Sequence, residues 1–448
     1  MKTAENSPVP RPSYLKFFWP LSLMGVVMIS GRLIQNFVLL RYENGVNELA
    51  WFALAMALYA PFQSVIAMVP HMTTVWGATP GSRKKAFRFF GMVCMLISLP
   101  LFGVAFSPAG PALVNLVYGT DSHAERVIII YMRYLAPLVL LGGWRQYLTG
   151  LLVLAEKTGW VTSIRCLAIL SAILVLAAGI LTGWNPVHVI GLSSVIPAMV
   201  AIAVSLWVVS SDGALAGTDN LRPNSGRNYD HAGFKDMFGY FLPVAFTTFM
   251  FTLSRPIIFA FIRSLNPENR PGGVNANLLI ASLTLAFTIG FVFQGTVNQF
   301  RHLMVKFGRK DPMGVRRFMV RVCLVITGVF FLFRVTPLSR LFLIYLQQCS
   351  DPQLLQNAQD CLWVLMLSPL VVTFRNYYHG LALVHHRTRA MGVGGLARNG
   401  IIILSGIIFL QMDILTHTTG AFMMVLAFLA EGIAVMLLTR SWRKPMGV

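Results

Sequence analysis

Four arginines lie near the middle of predicted apolar spans, and they are the residues best suited to bind a ligand. Arg375 lies in the stretch LVVTFRNYYHGLAL and Arg145 in LLGGWRQYLTGL, while Arg32 and Arg255 lie slightly past the middle of two other spans. A guanidinium in a bilayer core costs about 2.5–3.5 kcal/mol or more, so intramembrane charges usually line a pathway. Its planar fork binds carboxylate and phosphate groups bidentately. The arginines therefore predict a hydrated anion site, or else structural pairing with backbone carbonyls.

Polar and aromatic side chains accompany these arginines. Tyr147 follows Arg145 by two positions, and Asn376 and Tyr377 directly follow Arg375. As a set they are typical of a hydrated cavity, although an aromatic near a span centre often only packs, and an amide can join helices. The predicted substrate-binding residues are Arg32, Arg145, Arg255, Arg375, Tyr147, Tyr377 and Asn376.

Glu431 is the one acid that lies well inside a predicted span. It could couple transport to a proton or Na⁺, or it could form an ion pair with one of the arginines. Exporters of cationic drugs need several intramembrane carboxylates. One acid against four arginines therefore favours an anionic substrate.

Other kinds of site find no support in the sequence. The five cysteines are scattered and form no CxxC, so neither a disulfide framework nor a metal site is expected. There is no Walker loop and no nucleophile–base pattern, so we expect no enzyme activity and no cofactor. The formal charge of +20 sits mainly in loops, which indicates membrane topology and contact with lipids rather than nucleic acid.

The composition predicts an all-α polytopic membrane protein. Of the 448 residues, 56% are hydrophobic and only 12% are charged, which is outside the range of soluble proteins. Apolar runs of span length recur about twelve times. The predicted spans are 17–40, 49–72, 87–106, 126–155, 161–182, 188–209, 237–262, 276–300, 318–335, 354–384, 391–411 and 417–438.

Lysine and arginine concentrate in alternate loops. The loops after even-numbered spans are rich in these residues, as in Arg83–Arg88 and Arg301–Arg317, and the loops after odd-numbered spans are poor in them. By the positive-inside rule both termini are cytoplasmic. We expect a monomer in the inner cell membrane.

An internal repeat relates the two halves of the chain. Arg32 and Arg255 are 223 residues apart, and Arg145 and Arg375 are 230 apart. Each half has an even number of spans, so the repeats are parallel and related by a pseudo-two-fold axis along the membrane normal. The predicted division is a tail (1–16), a six-helix N-lobe (17–210), a linker (211–236), a six-helix C-lobe (237–440) and a tail (441–448).

Three stretches resemble a known family. TLSRPIIFAFIRS at Thr252–Ser264 and TFRNYYHGLAL at Thr373–Leu383 are similar to motifs of the progressive ankylosis (ANK) transporter family, and Ala430–Gly432 matches its Gly-Glu in the last span. This family lies in the multidrug/oligosaccharidyl-lipid/polysaccharide exporter superfamily. The resemblance implies a MATE-like fold and export of small polyanions such as ATP, citrate or pyrophosphate, with Arg255, Arg375 and Glu431 in the pathway. Arg32 departs from the family, which has an acidic residue there.

These observations predict a secondary active transporter that exports a small organic or phosphate-bearing anion by alternating access. The alternatives are a flippase for lipid-linked oligosaccharides, whose pyrophosphate would also bind arginine, and a MATE-type drug exporter. A non-transporting scaffold would leave the paired arginines without a role.

Overall fold

The computed structural model describes residues 11–77, 80–155, 157–211, 233–265, 275–308, 310–385, 387 and 389–440. Most of the predicted N-terminal tail and linker, and all of the predicted C-terminal tail, lie outside these residues. The described chain is helical and contains no strand.

Eighteen α-helices and one π-helical turn, Phe342–Leu346, make up the described chain. The α-helices are α1 Arg11–Leu40, α2 Gly45–Ile66, α3 Val69–Trp76, α4 Pro80–Phe106, α5 Ala109–Tyr118, α6 Ser122–Leu154, α7 Thr158–Leu181, α8 Pro186–Ser211, α9 Phe234–Thr252, α10 Ser254–Ser264, α11 Ala276–Val297, α12 Phe300–Phe307, α13 Pro312–Val335, α14 Leu338–Leu341, α15 Pro352–Leu365, α16 Ser368–Val384, α17 Arg389–Gln411 and α18 His417–Arg440.

The all-α polytopic fold is confirmed. Within the described residues, 10 helices are long and apolar enough to cross a membrane, and α15 and α16, which meet at a bend of 41°, are long and apolar enough only as a pair, which gives up to 11 spans if the pair counts as one. Helix α1 is 30 residues long, and its described apolar part is Ile29–Leu40. The bend lies next to Pro369, at the start of α16, where proline lacks a backbone donor.

The repeat predicted from the sequence also appears in the helix caps. Asp121 is the N-cap of α6 and accepts a hydrogen bond from the Ala124 amide at 2.7 Å. Asp351, which is 230 positions later, is the N-cap of α15 and accepts from the Leu354 amide at 2.9 Å. Each carboxylate satisfies an amide that the first helical turn leaves without a partner.

Two units are distinguished by their internal contacts, one comprising Met1–Ala50 with Ile257–Val448 and the other Trp51–Pro256. The first unit therefore joins α1 to the helices of the C-terminal half. The predicted lobes, 17–210 and 237–440, follow the sequence repeat instead and remain a prediction.

In the first unit, α1 packs along α11 and α12. The ring of Phe18 stacks on Phe300 at 5.0 Å and meets Phe318 edge-on at 5.8 Å. The Tyr14 hydroxyl donates to Asp311 Oδ2 at 2.7 Å. These contacts fix the start of α1 against the turn that precedes α13.

In the second unit, α9 makes the corresponding contact with α4. Phe241 lies edge-on to Phe89 with ring centroids 6.0 Å apart. By the sequence repeat, Phe241 corresponds to Phe18 and Phe89 to Phe318, since the offsets are 223 and 229. The two units thus use related aromatic pairs at the starts of α1 and α9.

Candidate functional site

A fully buried carboxylate organises the charged side chains of the C-terminal half. Glu431, on α18, is 0% exposed. Its Oε2 lies 3.4 Å from Nη1 of Arg375 and 3.4 Å from Nη1 of Arg398. Its Oε1 lies 3.1 Å from Nε2 of His379. Arg375 and His379 reach the same carboxylate because they are one turn apart on α16.

The remaining donors of Arg375 are directed at side-chain amides. Its Nη2 donates to Asn298 Oδ1 at 2.9 Å, and its Nε donates to Asn376 Oδ1 at 3.3 Å. Asn376 in turn donates to the Val297 carbonyl at 2.9 Å. Val297 ends α11, where carbonyls lack helical partners. The break between α11 and α12 therefore supplies the acceptors that orient Arg375.

Phe428 lies one turn before Glu431 on α18 and supports both guanidiniums. Its ring centroid is 5.1 Å from Cζ of Arg375 and 4.5 Å from Cζ of Arg398. A desolvated guanidinium over an aromatic face gains about 2 kcal/mol from the ring quadrupole. This contact offsets part of the cost of placing two cations among apolar helices.

Glycines let the three helices of this cluster come close. A Cβ on Gly394 of α17 would lie 2.7 Å from Val435 Cγ2 of α18, and one on Gly432 of α18 would lie 2.8 Å from Phe374 Cδ1 of α16. Larger side chains at these positions would separate α17 and α18 from their charged partners.

Arg301, on α12, adds a third guanidinium. It interacts electrostatically with both Arg375 and Glu431. Its Nε is buried and has no hydrogen-bond partner within the described part of the chain, and the same is true of Nε of Arg398. Three guanidiniums therefore interact with one carboxylate, two of them in direct contact with it, which leaves an excess of positive charge and unused donors. Such a site is suited to bind an anion.

The corresponding arginine of the first half is not neutralised in this way. Arg145, on α6, interacts electrostatically with Tyr59 and Arg165, and among the described residues no carboxylate pairs with it. Helix α8, the counterpart of α18, contains neither Asp nor Glu. The two halves thus share an arginine but differ in the carboxylate.

The other predicted site residues are more dispersed. Arg32 donates to Gln35 Oε1 at 3.1 Å on α1. The Tyr147 hydroxyl donates to the Arg83 carbonyl at 3.2 Å, so it serves packing at the end of α6. Tyr377 packs edge-on against Tyr378 at 5.2 Å. Arg255 is half-buried on α10. Of the predicted set, Arg375, Asn376 and Glu431 come together.

Sequence reasoning missed two members of the cluster: Arg301, which was counted with a basic loop, and Arg398, which lies near the start of the predicted span 391–411. Arg301 precedes a basic run and Arg398 follows one in the sequence, yet the structure buries polar atoms of both. A signal for Arg398 was present: it lies 13 residues before the end of α17, and Glu431 lies 14 residues after the start of α18. Antiparallel neighbouring helices place such residues at the same depth.

The described residues contain no group of His, Cys, Asp or Glu able to hold a metal ion.

No protein-family model matches the sequence, and no curated protein matches it. Several solved structures do match the fold of the chain. The chain shares the MATE fold. It is similar to an inward-facing multidrug resistance MATE family transporter of the MOP superfamily, with a TM-score of 0.59, 13% identity and coverage of 95% of this chain and 93% of the other.

Two further structures extend the comparison. A MOP superfamily transporter from Pyrococcus furiosus, described by the reverse polarity of its binding pocket, has a TM-score of 0.60, 14% identity and coverage of 96% and 95%. The lipid II flippase MurJ, in an inward closed conformation, has a TM-score of 0.57, 14% identity and coverage of 95% and 87%. At these identities the similarity concerns the fold.

Proposed function

We propose that this chain is a secondary active transporter that exports a small organic or phosphate-bearing anion, of the pyrophosphate, ATP or citrate class, by alternating access. The observation that carries the proposal is the cluster of Arg301, Arg375 and Arg398 around the single carboxylate of Glu431. Buried charges need partners, and this cluster has more cations than anions.

Further support comes from the fold and from the sequence. MATE-fold neighbours are transporters by description, and the Pyrococcus furiosus protein is described as having a pocket of reverse polarity that suggests a different function. The resemblance to the ANK family also favours polyanion export. Arg145 and Arg32 are proposed as further pathway residues. We place the protein in the inner membrane with both termini cytoplasmic, on the strength of its loop charges.

The test is efflux of labelled citrate and pyrophosphate from proteoliposomes. We expect the Arg145→Ala, Arg375→Ala double variant to lose most of the flux. Arg375→Lys should lose much of it as well, because an ammonium keeps the charge but not the fork. Arg340→Ala, at an exposed arginine on α14, is the matched control. Unchanged efflux in the double variant would refute the anion site, and efflux under imposed pH or Na⁺ gradients identifies the coupling ion.

A flippase for lipid-linked oligosaccharides is the second candidate. It is favoured by the similarity to the lipid II flippase MurJ, and the pyrophosphate of such a lipid would also bind the arginines. Translocation of a fluorescent lipid-linked pyrophosphate sugar, without flux of water-soluble anions, would support this function. A MATE-type exporter of cationic drugs fits least, since Glu431 is already paired with cations.

A further inference from the structure

Among the residues that the structure describes, the charged groups that face Glu431 come from three helices, and each of them is basic. Helix α11 has no ionisable residue. Helix α15 carries Asp360 and Cys361, but both contact His417 at the first residue of α18, far from Glu431. The facing groups are Arg375 and His379 of α16, Arg398 of α17 and Arg301 of α12.

The balance of formal charge in this cluster is fixed by residue type. Three guanidiniums remain protonated under all ordinary conditions, and one carboxylate neutralises one of them. With His379 as a neutral imidazole, two positive charges are left. Side-chain exposure is only 11% for Arg375 and 7% for Arg398, so water compensates little of this excess.

We propose that Glu431 determines the charge of the transported anion, by reducing three positive charges to two and so matching the site to a dianion, such as the singly protonated form of citrate. The inference rests on the proposed anion transport. In a site of low effective dielectric, an uncompensated unit charge acts over several ångströms. A ligand need not contact Glu431 to be affected by it.

The positions of the unused donors agree with this assignment. Glu431 already accepts from one nitrogen of each of Arg375 and Arg398. The buried Nε atoms of Arg301 and Arg398 have no partner in the described residues. The carboxylate therefore contributes charge to the site, while other nitrogens remain for the ligand.

Four proteins test the proposal: the wild type, Glu431→Gln, Arg398→Gln and the double variant. In the same order, the net charges of their sites are +2, +3, +1 and +2. Each purified protein is titrated with lactate, malate and citrate, at constant ionic strength and at a pH where all carboxyl groups are ionised. These probes are a mono-, a di- and a trianion of similar chemistry. The readout is the ratio of dissociation constants, which a uniform loss of folded protein does not change.

We expect the wild type to prefer malate. Glu431→Gln should change the ratio of the dissociation constants for malate and citrate by about tenfold or more in favour of citrate. Arg398→Gln should change the ratio for malate and lactate by a similar factor in favour of lactate. The double variant should return to within about threefold of the wild type, because its charge is restored although two contacts are lost. Arg398→Gln tests the proposal even where Glu431→Gln fails to fold.

Equal ratios in all four proteins, with binding retained, would overturn the role of Glu431 and leave anion transport standing. A double variant that keeps the ratio of Glu431→Gln would also overturn it, since a contact rather than the charge would then be responsible. No binding and no flux of any anion by the wild type would overturn the transport proposal and this inference together.

Discussion

Replacement of Glu431 by alanine is the most direct test of the buried cluster. The change removes the carboxylate that contacts Arg375 and Arg398, each at 3.4 Å. Both guanidiniums stay charged and are held by packing against Phe428. We therefore expect the variant to fold with a much lower free energy of unfolding.

The magnitude follows from distance and burial. Two unit charges 3.4 Å apart attract by about 5 kcal/mol at an effective dielectric of about 20. Part of that attraction is recovered when water and neighbouring amides reorganise. Breaking a buried pair by removing one partner typically costs 3–5 kcal/mol, and we expect a loss in this range.

The assay is equilibrium unfolding in mixed micelles, followed by tryptophan fluorescence. Asp360→Ala is the control, because Asp360 pairs with His417 at 3.8 Å and is 34% exposed, so its loss should cost under about 1 kcal/mol. Adding Arg398→Met to Glu431→Ala should recover part of the stability, since one stranded charge is removed. If Glu431→Ala costs no more than Asp360→Ala, the cluster is not an electrostatic centre and the reasoning is wrong.

Two further predictions concern packing and the start of α1. A Cβ on Gly150 would lie 2.5 Å from Thr73 Cβ, whereas one on Gly142 of the same helix meets nothing within 4 Å. Gly150→Ala should therefore lower the free energy of unfolding by about 1–3 kcal/mol, while Gly142→Ala should be neutral or slightly stabilising; equal effects would contradict the packing. Tyr14→Phe removes the 2.7 Å hydrogen bond to Asp311 and should cost about 1 kcal/mol. It should also speed amide exchange in the first turn of α13, and unchanged exchange there would argue against the bond as an anchor of α1.

Much of the fold could be predicted from one-dimensional patterns. Span length and hydropathy give the membrane helices, because a helix that crosses a bilayer must be apolar along about 20 residues. Breaks within spans were harder to predict. The predicted span 276–300 continues through α12 after a break at Asn298 and Gln299, and 49–72 is interrupted between α2 and α3. A hydropathy window averages over such breaks and does not detect them. A break depends instead on local hydrogen-bond acceptors for the free backbone amides.

The sequence by itself determined that the chain is a helical membrane protein with an internal repeat, and that Arg145 and Arg375 occupy related positions in it. Both follow from spacing along the chain. Only the tertiary structure decided that Arg301 and Arg398 join Arg375 at Glu431. In a short window of sequence, a charged residue indicates either a loop or an energetically unfavourable charge inside a span. Its neutralising partner lies on another helix and is therefore outside the window. Whether a buried cation is neutralised depends on distances of a few ångströms between helices, and helix packing alone fixes those distances.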